Sequence, residues 1–173
     1  MTAGIVIAII VVALLFYVAS KPNQFRIERS LLIDATSDKL YAQLIDFHRW
    51  DAWSPWAKLD ANMKTTFSGA AQGVGAVYEW LGNNKVGQGR MEIIEAQPLA
   101  SLKIKLDFLK PFAAHNVAEF SLTSQTSGTL VSWTMYGPSP FISKLMSLFF
   151  NMDKMVGRDF ERGLDNLRRV VQS

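Results

Sequence analysis

The sequence predicts an α+β domain in which a curved antiparallel sheet of about seven strands wraps around one long C-terminal helix. Strand-like runs separated by turn residues recur from residue 63 to residue 136, which is typical of an antiparallel meander. In the clearest of them, LKIKLDFL (102–109), apolar and polar side chains alternate strictly. The last stretch of the chain has apolar residues at helical spacing, so one face of that helix requires an apolar partner such as the sheet.

The first elements of the domain are a strand and two short helical pieces. FRIERSLLID (Phe25 to Asp34) has the pattern of a strand, and Thr36 or Ser37 then caps a helix that runs to about Asp46. The following segment, HRWDAWSPWAKLD, is a second short helix or loop that ends at Pro55.

Six further strands and the final helix complete the domain. Ser139 and Pro140 are expected to begin the C-terminal helical region as N-cap and first helical residue, and Asp165 is expected to pair with Arg169. The predicted strands are Met63 to Ser68, Gly75 to Leu81, Gln88 to Gln97, Leu102 to Leu109, Asn116 to Ser124 and Thr129 to Tyr136.

The N-terminal segment differs from the rest of the chain. Nineteen uncharged residues run from Thr2 to Ser20, and as a helix they would reach roughly 28 Å, close to the thickness of a bilayer core. We therefore expect residues 1–21 to be a transmembrane anchor, 22–24 a short linker, and 25–173 the folded domain. The competing interpretation is a signal peptide cleaved after Val18-Ala19-Ser20, but no Lys or Arg precedes the apolar run.

Charge and composition exclude several classes of function. Lys21, Arg26 and Arg29 follow the apolar segment, which by the positive-inside rule favours a cytoplasmic domain. The absence of cysteine excludes disulfides and thiolate metal sites, and a net charge of +3 without a basic run argues against nucleic acid as a partner. Two histidines, without a metal-binding spacing, predict neither a metal site nor a cofactor.

Several segments resemble the START and birch-pollen-allergen superfamily (SRPBCC), specifically its polyketide cyclase/dehydrase-like branch. RSLLIDATSDKLYAQLIDFHRWDAWSPW is similar to the opening of that branch, VYEWLGN with VGQGRMEIIEAQP to its central strands, and GTLVSWTMYG with DFERGLDNLRRVV to its last strand and helix. The resemblance covers residues 25–173. It implies the helix-grip fold and a site for an apolar ligand, such as a lipid, sterol or polyketide, between sheet and helix.

Inward parity on the strands, together with this resemblance, predicts the lining of an apolar cavity. Three tryptophans, Trp50, Trp53 and Trp56, either close the core or form the mouth of the cavity. Methionines on the inward faces, including Met152, would suit a flexible ligand, or are ordinary core. The predicted lining residues are Trp53, Trp56, Tyr78, Trp80, Met91, Ile93, Ile104, Leu106, Phe120, Trp133, Met135 and Met155.

The leading hypothesis is a membrane-anchored binding or transport domain for a lipid or another small hydrophobic molecule. The alternative is a cyclase or dehydratase that uses His48, Asp51, Glu79 or His115 as acid or base. A third possibility is an adaptor with a filled core.

Two further features have open interpretations. Strict alternation points Arg29 inward, where Glu79 or a ligand head group would be its partner, unless a bulge turns it outward. FISKLMSLFF (141–150) is apolar on nearly all sides and is either a helix buried at the end of the sheet or a lid that touches the bilayer.

Overall fold

A computed structural model describes residues 2–173, with side chains described from Gly4 onward. Its seven strands form one antiparallel sheet in the order β1-β7-β6-β5-β4-β3-β2. In chain order the elements are α1 (Thr2–Ser20), β1 (Gln24–Ile33), α2 (Ser37–Leu44), a 3-10 helix (Phe47–Ala52), β2 (Lys64–Gly69), β3 (Ala76–Leu81), β4 (Gln88–Gln97), β5 (Ser101–Lys110), β6 (Ala114–Gln125), β7 (Gly128–Pro138), α3 (Phe141–Met146) and α4 (Met152–Gln172).

The predicted sheet is confirmed, and the period-2 pattern explains its two faces. On β5, Leu102, Ile104 and Leu106 are buried, while Lys103 and Lys105 point to the opposite, convex face. Irregularities in the pairing of β4 with β5 fall between Gln88 and Gly89 and between Ile93 and Glu95. Such bulges increase local twist and bend, which curves the sheet around the helix that it holds.

Helix α4 packs on the concave face through one narrow stripe. Phe160, Leu164 and Leu167 are buried on it, together with the small residues Gly157 and Gly163. A Cβ atom on Gly163 would come within 2.7 Å of the Trp133 ring, so glycine is what allows the helix to approach the sheet at this point. The predicted pair of Asp165 with Arg169 is present at 2.6 Å.

The C-terminal helical region consists of two helices, and it begins one residue later than predicted, because Pro140 and not Ser139 is the N-cap residue. Helix α3 starts at Phe141, after Pro140, and no side chain caps it. Helix α4 has its own cap, because Asn151 Oδ1 accepts a hydrogen bond of 2.9 Å from the backbone N–H of Lys154. This side-chain acceptor satisfies one of the free amides of the first turn and fixes where the second helix begins.

Arg29 points to the concave side, as strict alternation predicts, but the prediction that Glu79 is its partner is wrong. The guanidinium of Arg29 binds Glu161 at 2.7 Å and Asp153 at 3.1 Å, both on α4. The guanidinium lies where a Cβ atom on Gly157 would be, so this glycine makes room for it. The ion pairs therefore connect β1 to the first turns of α4.

The Arg29–Asp153 pair predicts a small loss of stability in acid. The hydrogen bond from Arg29 lowers the pKa of Asp153. The pair therefore stabilises the folded state at pH values above the unfolded-state Asp pKa of about 3.9, and this stabilisation is lost as pH falls through the lower folded-state pKa. Since the Asp153 side chain is 61% exposed, solvent screening keeps this contribution small. Denaturant unfolding of wild type and Asp153→Asn should therefore differ more at pH 6 than at pH 3. An equal difference at both values would contradict the assignment.

Helix α1 carries apolar side chains on every side, and from Ile5 to Tyr17 most are exposed. Its last turn contacts the domain: Val18 is buried, and Lys144 of α3 donates hydrogen bonds to the carbonyl oxygen of Ala19 (3.4 Å) and to Oδ1 of Asn23 (2.7 Å). Among the described residues, no helix combines the length and the apolar character that a membrane crossing requires.

Candidate functional site

A cavity of about 220 Å³ lies between the first half of α4 and the concave face of the sheet. Strands β3 to β7 form one wall, α4 forms another, and the segment after the 3-10 helix forms a third. Apolar and aromatic side chains dominate the surface. The lining residues are Trp50, Ser54, Trp56, Ala57, Met63, Tyr78, Trp80, Lys85, Val86, Met91, Leu106, Phe108, Ala118, Trp133, Met135, Val156, Asp159 and Phe160.

Three aromatic rings form the wall on the side of the helix. Trp133 of β7 and Phe160 of α4 are stacked with a 4.2 Å separation of ring centroids. Trp56 meets both of these rings edge to face, at 5.7 Å and 6.3 Å. Because large rigid rings in these geometries attract each other beyond simple burial, this wall is fixed in shape.

Trp80 forms the opposite wall, and Gly89 explains its position. The two residues are paired across β3 and β4, and the indole ring covers the place that a Cβ atom on Gly89 would occupy. The indole N–H donates a 2.9 Å hydrogen bond to the carbonyl oxygen of Val86 in the β3–β4 turn. The segment Gly87-x-Gly89 therefore belongs to a hairpin, and its second glycine makes space for an aromatic side chain of the cavity.

A second cavity of about 260 Å³ adjoins the first near β2. Tyr78 and Met91 are among the residues that line both cavities. The second is more polar, because His48, Asp51 and Thr65 also line it. His48 is held in place by a 2.9 Å contact of Nδ1 with Asp46 Oδ1 and by stacking on Phe67.

Few charges face the main cavity. Lys85 has no carboxylate within salt-bridge distance in the part of the chain that the structure describes, whereas Asp159 pairs with Arg162. Burial raises the pKa of the Tyr78 phenol, and the negative charge of Asp51 raises it further. The phenol is therefore neutral at pH 7 and acts there as a hydrogen-bonding group rather than a base.

Two buried indole groups lack a partner. Nε1 of Trp53 and Nε1 of Trp133 make no hydrogen bond within the described residues, whereas the indole of Trp50 donates to the carbonyl oxygen of Leu44 at 3.1 Å. A buried donor without an acceptor costs free energy. Trp133 is the one of the two that lines the main cavity.

The structure brings seven of the twelve predicted residues to the cavity. They are Trp56, Tyr78, Trp80, Met91, Leu106, Trp133 and Met135. The others lie elsewhere, which corrects their predicted place in the lining. Trp53, Ile93, Ile104 and Phe120 are fully buried in the solid core beside the cavity. Met155 is exposed on the outer side of α4, as is Met152.

Sequence reasoning missed several residues of the lining. Phe108 and Ala118 come from the sheet, and Val156 and Phe160 come from α4. Trp50 of the 3-10 helix, expected either in the core or at the mouth of the cavity, also lines it. The helix residues carried a signal: Val156, Gly157, Phe160, Gly163 and Leu164 follow helical spacing, and the glycines mark close approach to a neighbour. The sequence contains no comparable signal for the position of the cavity along α4, which decides which of these residues line it.

The predicted acid and base residues are separated by the sheet. Glu79 and His115 lie on the convex face, where His115 Nδ1 contacts Asp107 Oδ1 at 2.7 Å, while His48 and Asp51 line the second cavity. No hydrogen bond links His48, Asp51 and Tyr78 to one another in the described part of the chain. Within the same residues, no group of three or more possible metal ligands is present.

Comparisons with known proteins identify the family and the fold. Residues 24–172 match a family model described as "Polyketide cyclase / dehydrase and lipid transport". No curated protein matches the chain significantly in sequence.

Solved structures share the architecture at low sequence identity. Protein CV1439 from Chromobacterium violaceum has a TM-score of 0.61 at 15% identity, over 88% of this chain and 99% of that one. Protein MLL2253 from Mesorhizobium loti has a TM-score of 0.62 at 17% identity, over 86% and 97%. The di-domain ARO/CYC StfQ from the steffimycin biosynthetic pathway has a TM-score of 0.63 at 10% identity, over 86% of this chain and 51% of that one. At these identities the likeness is one of fold.

Proposed function

We propose that this chain, which belongs to the polyketide cyclase/dehydrase and lipid transport family, binds a small hydrophobic ligand between α4 and the sheet. The observation that carries the proposal is the main cavity, about 220 Å³ of space lined mostly by aromatic and aliphatic side chains. A well-packed core leaves few voids larger than a water molecule, so space of this size in the centre of the fold is typical of a ligand site.

The lining favours a flexible ligand over a rigid one. Met63, Met91 and Met135 contribute unbranched, adaptable thioether side chains, and Met63 and Met91 also line the second cavity. Each cavity alone is smaller than the roughly 300–1,000 Å³ of typical ligand pockets. A chain-like ligand that displaces these two methionines would extend through both.

Lys85 adds a preference for a ligand with one anionic end. It lies in the β3–β4 turn at the edge of the cavity and lacks a carboxylate partner among the described residues. An ammonium group at the edge of an apolar cavity attracts a carboxylate or phosphate while the apolar part enters. A fatty acid or a lipid with an acidic head group fits this arrangement.

We further propose that α1 inserts into a bilayer and anchors the domain, although no helix of the described residues has the length and apolar character of a full crossing. Its support is the run of 19 uncharged residues, whose apolar side chains are exposed all around the helix. A protein groove covers one side of a helix, whereas lipid covers every side. Lys21, Arg26 and Arg29 follow the helix, which by the positive-inside rule favours the cytoplasmic side for the domain.

The direct test is a titration of the full-length protein in nanodiscs with a fluorescent fatty acid, following energy transfer from tryptophan. Four of the five tryptophans line the cavity, so saturable transfer at low micromolar probe is expected. Empty nanodiscs measure the background, and the methyl ester of the same probe tests the preference for an anionic end. If no saturable transfer appears at high micromolar probe, the binding proposal fails and a role as an adaptor takes its place.

One observation favours an enzyme as the second candidate. His48, Asp51 and Tyr78 line one cavity, and Asp51 is close enough to Tyr78 to affect its pKa. The family includes cyclases and dehydrases by its description. Incubation with a linear β-polyketone and mass spectrometry of the products tests this, with Asp51→Asn as the inactivating variant and Glu79→Gln, on the convex face, as its control. Under our proposal, wild type gives no product above the uncatalysed background.

A further inference from the structure

We propose that one end of the domain, which we call the proximal end, lies against the bilayer surface and admits the ligand from there. The proximal end consists of the linker after α1, segment 141–150, the β3–β4 turn at residues 82–87 and the β5–β6 turn at residues 111–113. This inference rests on the proposed anchoring of α1 and adds which surface of the domain meets the lipid.

The structure attaches segment 141–150 directly to the end of α1. Lys144 is buried, and its ammonium donates hydrogen bonds to the carbonyl oxygen of Ala19 and to Oδ1 of Asn23. Lys21 donates to the hydroxyl of Ser147 at 2.9 Å. The backbone N–H of Ser139 adds a 2.7 Å hydrogen bond to the carbonyl oxygen of Asn23. Segment 141–150 therefore cannot move far from the point where α1 leaves the domain.

The proximal end is unusually rich in exposed apolar side chains. Five of the ten residues of segment 141–150 are large apolar residues at least 43% exposed, against five such residues in the 115 residues 24–138. Phe149 is 76% exposed and Ile142 is 67% exposed. Such a concentration on one surface marks an interaction site rather than ordinary surface variation.

The strand topology brings a second exposed group to the same end. Gln24 pairs with Pro138, and Phe108 pairs with Ala114, so the β5–β6 turn lies at the end of the sheet where α1 is attached. In that turn Phe112 is 81% exposed, the most exposed large apolar side chain in the described residues. Two segments far apart in sequence thus present aromatic residues on one side of the molecule.

Charge and shape indicate that lipid covers this surface. Lys85 and Lys110 lie in or beside the turns of the proximal end, and neither has a carboxylate within salt-bridge distance among the described residues. Asp60, also at this end, accepts hydrogen bonds from backbone N–H groups. Exposed aromatic and apolar residues among lysines fit the interface of an anionic bilayer. Since α1 is apolar on every side and continuous with the surface, one lipid phase can cover both.

The same surface reaches the edge of the cavity. Met155 is exposed, and the next residue, Val156, lines the cavity. On the opposite edge, Lys85 both lines the cavity and lies in the β3–β4 turn of the proximal end. A lipid leaving the bilayer would therefore meet the apolar edge of α4 and the ammonium of Lys85 before it enters.

Single-cysteine labelling tests this, since the chain has no cysteine of its own. Ile142→Cys and Phe112→Cys are labelled with an environment-sensitive fluorophore in the full-length protein and reconstituted into phosphatidylcholine/phosphatidylglycerol vesicles. We expect a blue shift at both positions and quenching by lipids that carry bromine near the head group. Val74→Cys, at 57% exposure in the β2–β3 turn on the far end of the sheet, is the matched control and should remain as in water.

A fourth variant, Ile10→Cys at the middle of α1, separates the two proposals when it is read with lipids that carry bromine deep in their acyl chains. Quenching at Ile10 without quenching at Ile142 and Phe112 overturns this inference and leaves the anchor intact. No quenching at Ile10 overturns both. If Ile142 and Phe112 are shielded equally with and without brominated lipid, and the shielding falls on dilution of the protein, the surface is an interface between two copies of the chain and the inference is wrong.

Discussion

Replacing Phe160 with alanine is expected to lower the free energy of unfolding by about 3–5 kcal/mol. Its side chain is 1% exposed and stacks on Trp133, and it packs beside Trp56 at the centre of the contact between α4 and the sheet. The loss combines the transfer free energy of the ring with the space that it leaves. Because that space would join the existing cavity, relaxation of the neighbours is limited, and the upper part of the range is favoured. Denaturant unfolding followed by tryptophan fluorescence measures the change.

Phe149 provides the matched control for this experiment. It is also a phenylalanine in the C-terminal helical region, but it is 76% exposed, and Phe149→Ala should change the free energy of unfolding by no more than about 0.5 kcal/mol. Leu164→Ala, at 1% exposure one turn after Phe160, should cost about 2–5 kcal/mol. If Phe160→Ala and Phe149→Ala had equal effects, the packing of α4 against the sheet would be different from that described.

The strands were predictable because alternation reports a local property. In β4 the predicted bounds, Gln88 to Gln97, coincide with the observed strand, and in β5 they differ by one residue at each end. A half-buried strand needs an apolar side chain at every second residue whatever its neighbours are. The break between α3 and α4 was also encoded locally, since Asn151 followed by Met152 and Asp153 is a helix start. The break was not predicted because apolar residues continue at helical spacing before and after Asn151.

The site was only partly predictable because alternation gives the face of a residue and not its depth. Ile104 and Leu106 share the inward face of β5, yet Ile104 is packed in the solid core and Leu106 lines the cavity. The difference depends on where α4 crosses the sheet, which is set by Gly157, Gly163 and the ion pairs of Arg29. The contacts of Arg29 with α4 join residues more than a hundred positions apart, and no local pattern contains them.

Ala118 shows how the cavity depends on one small side chain. It lies on the inward face of β6, paired with Ile104 and with Met135, and it is 5% exposed. Since the large residues around it are fixed by their own packing, the free volume above its methyl group belongs to the cavity. A larger side chain at this position would extend into that volume and not into the solid core.

Ala118→Phe is therefore expected to abolish ligand binding while the protein stays folded. A benzyl group would fill much of a cavity of about 220 Å³, and the dissociation constant of the fluorescent fatty acid should rise at least about 100-fold, which corresponds to about 2.7 kcal/mol. Val117→Phe is the control, because its side chain adds the same ring to the convex face of the same strand. Val117→Phe should bind the probe like wild type. The circular dichroism spectrum and the midpoint of thermal unfolding should be unchanged in both variants. Undiminished binding by Ala118→Phe would show that the probe occupies another part of the protein, and the cavity between α4 and the sheet would lose its proposed role.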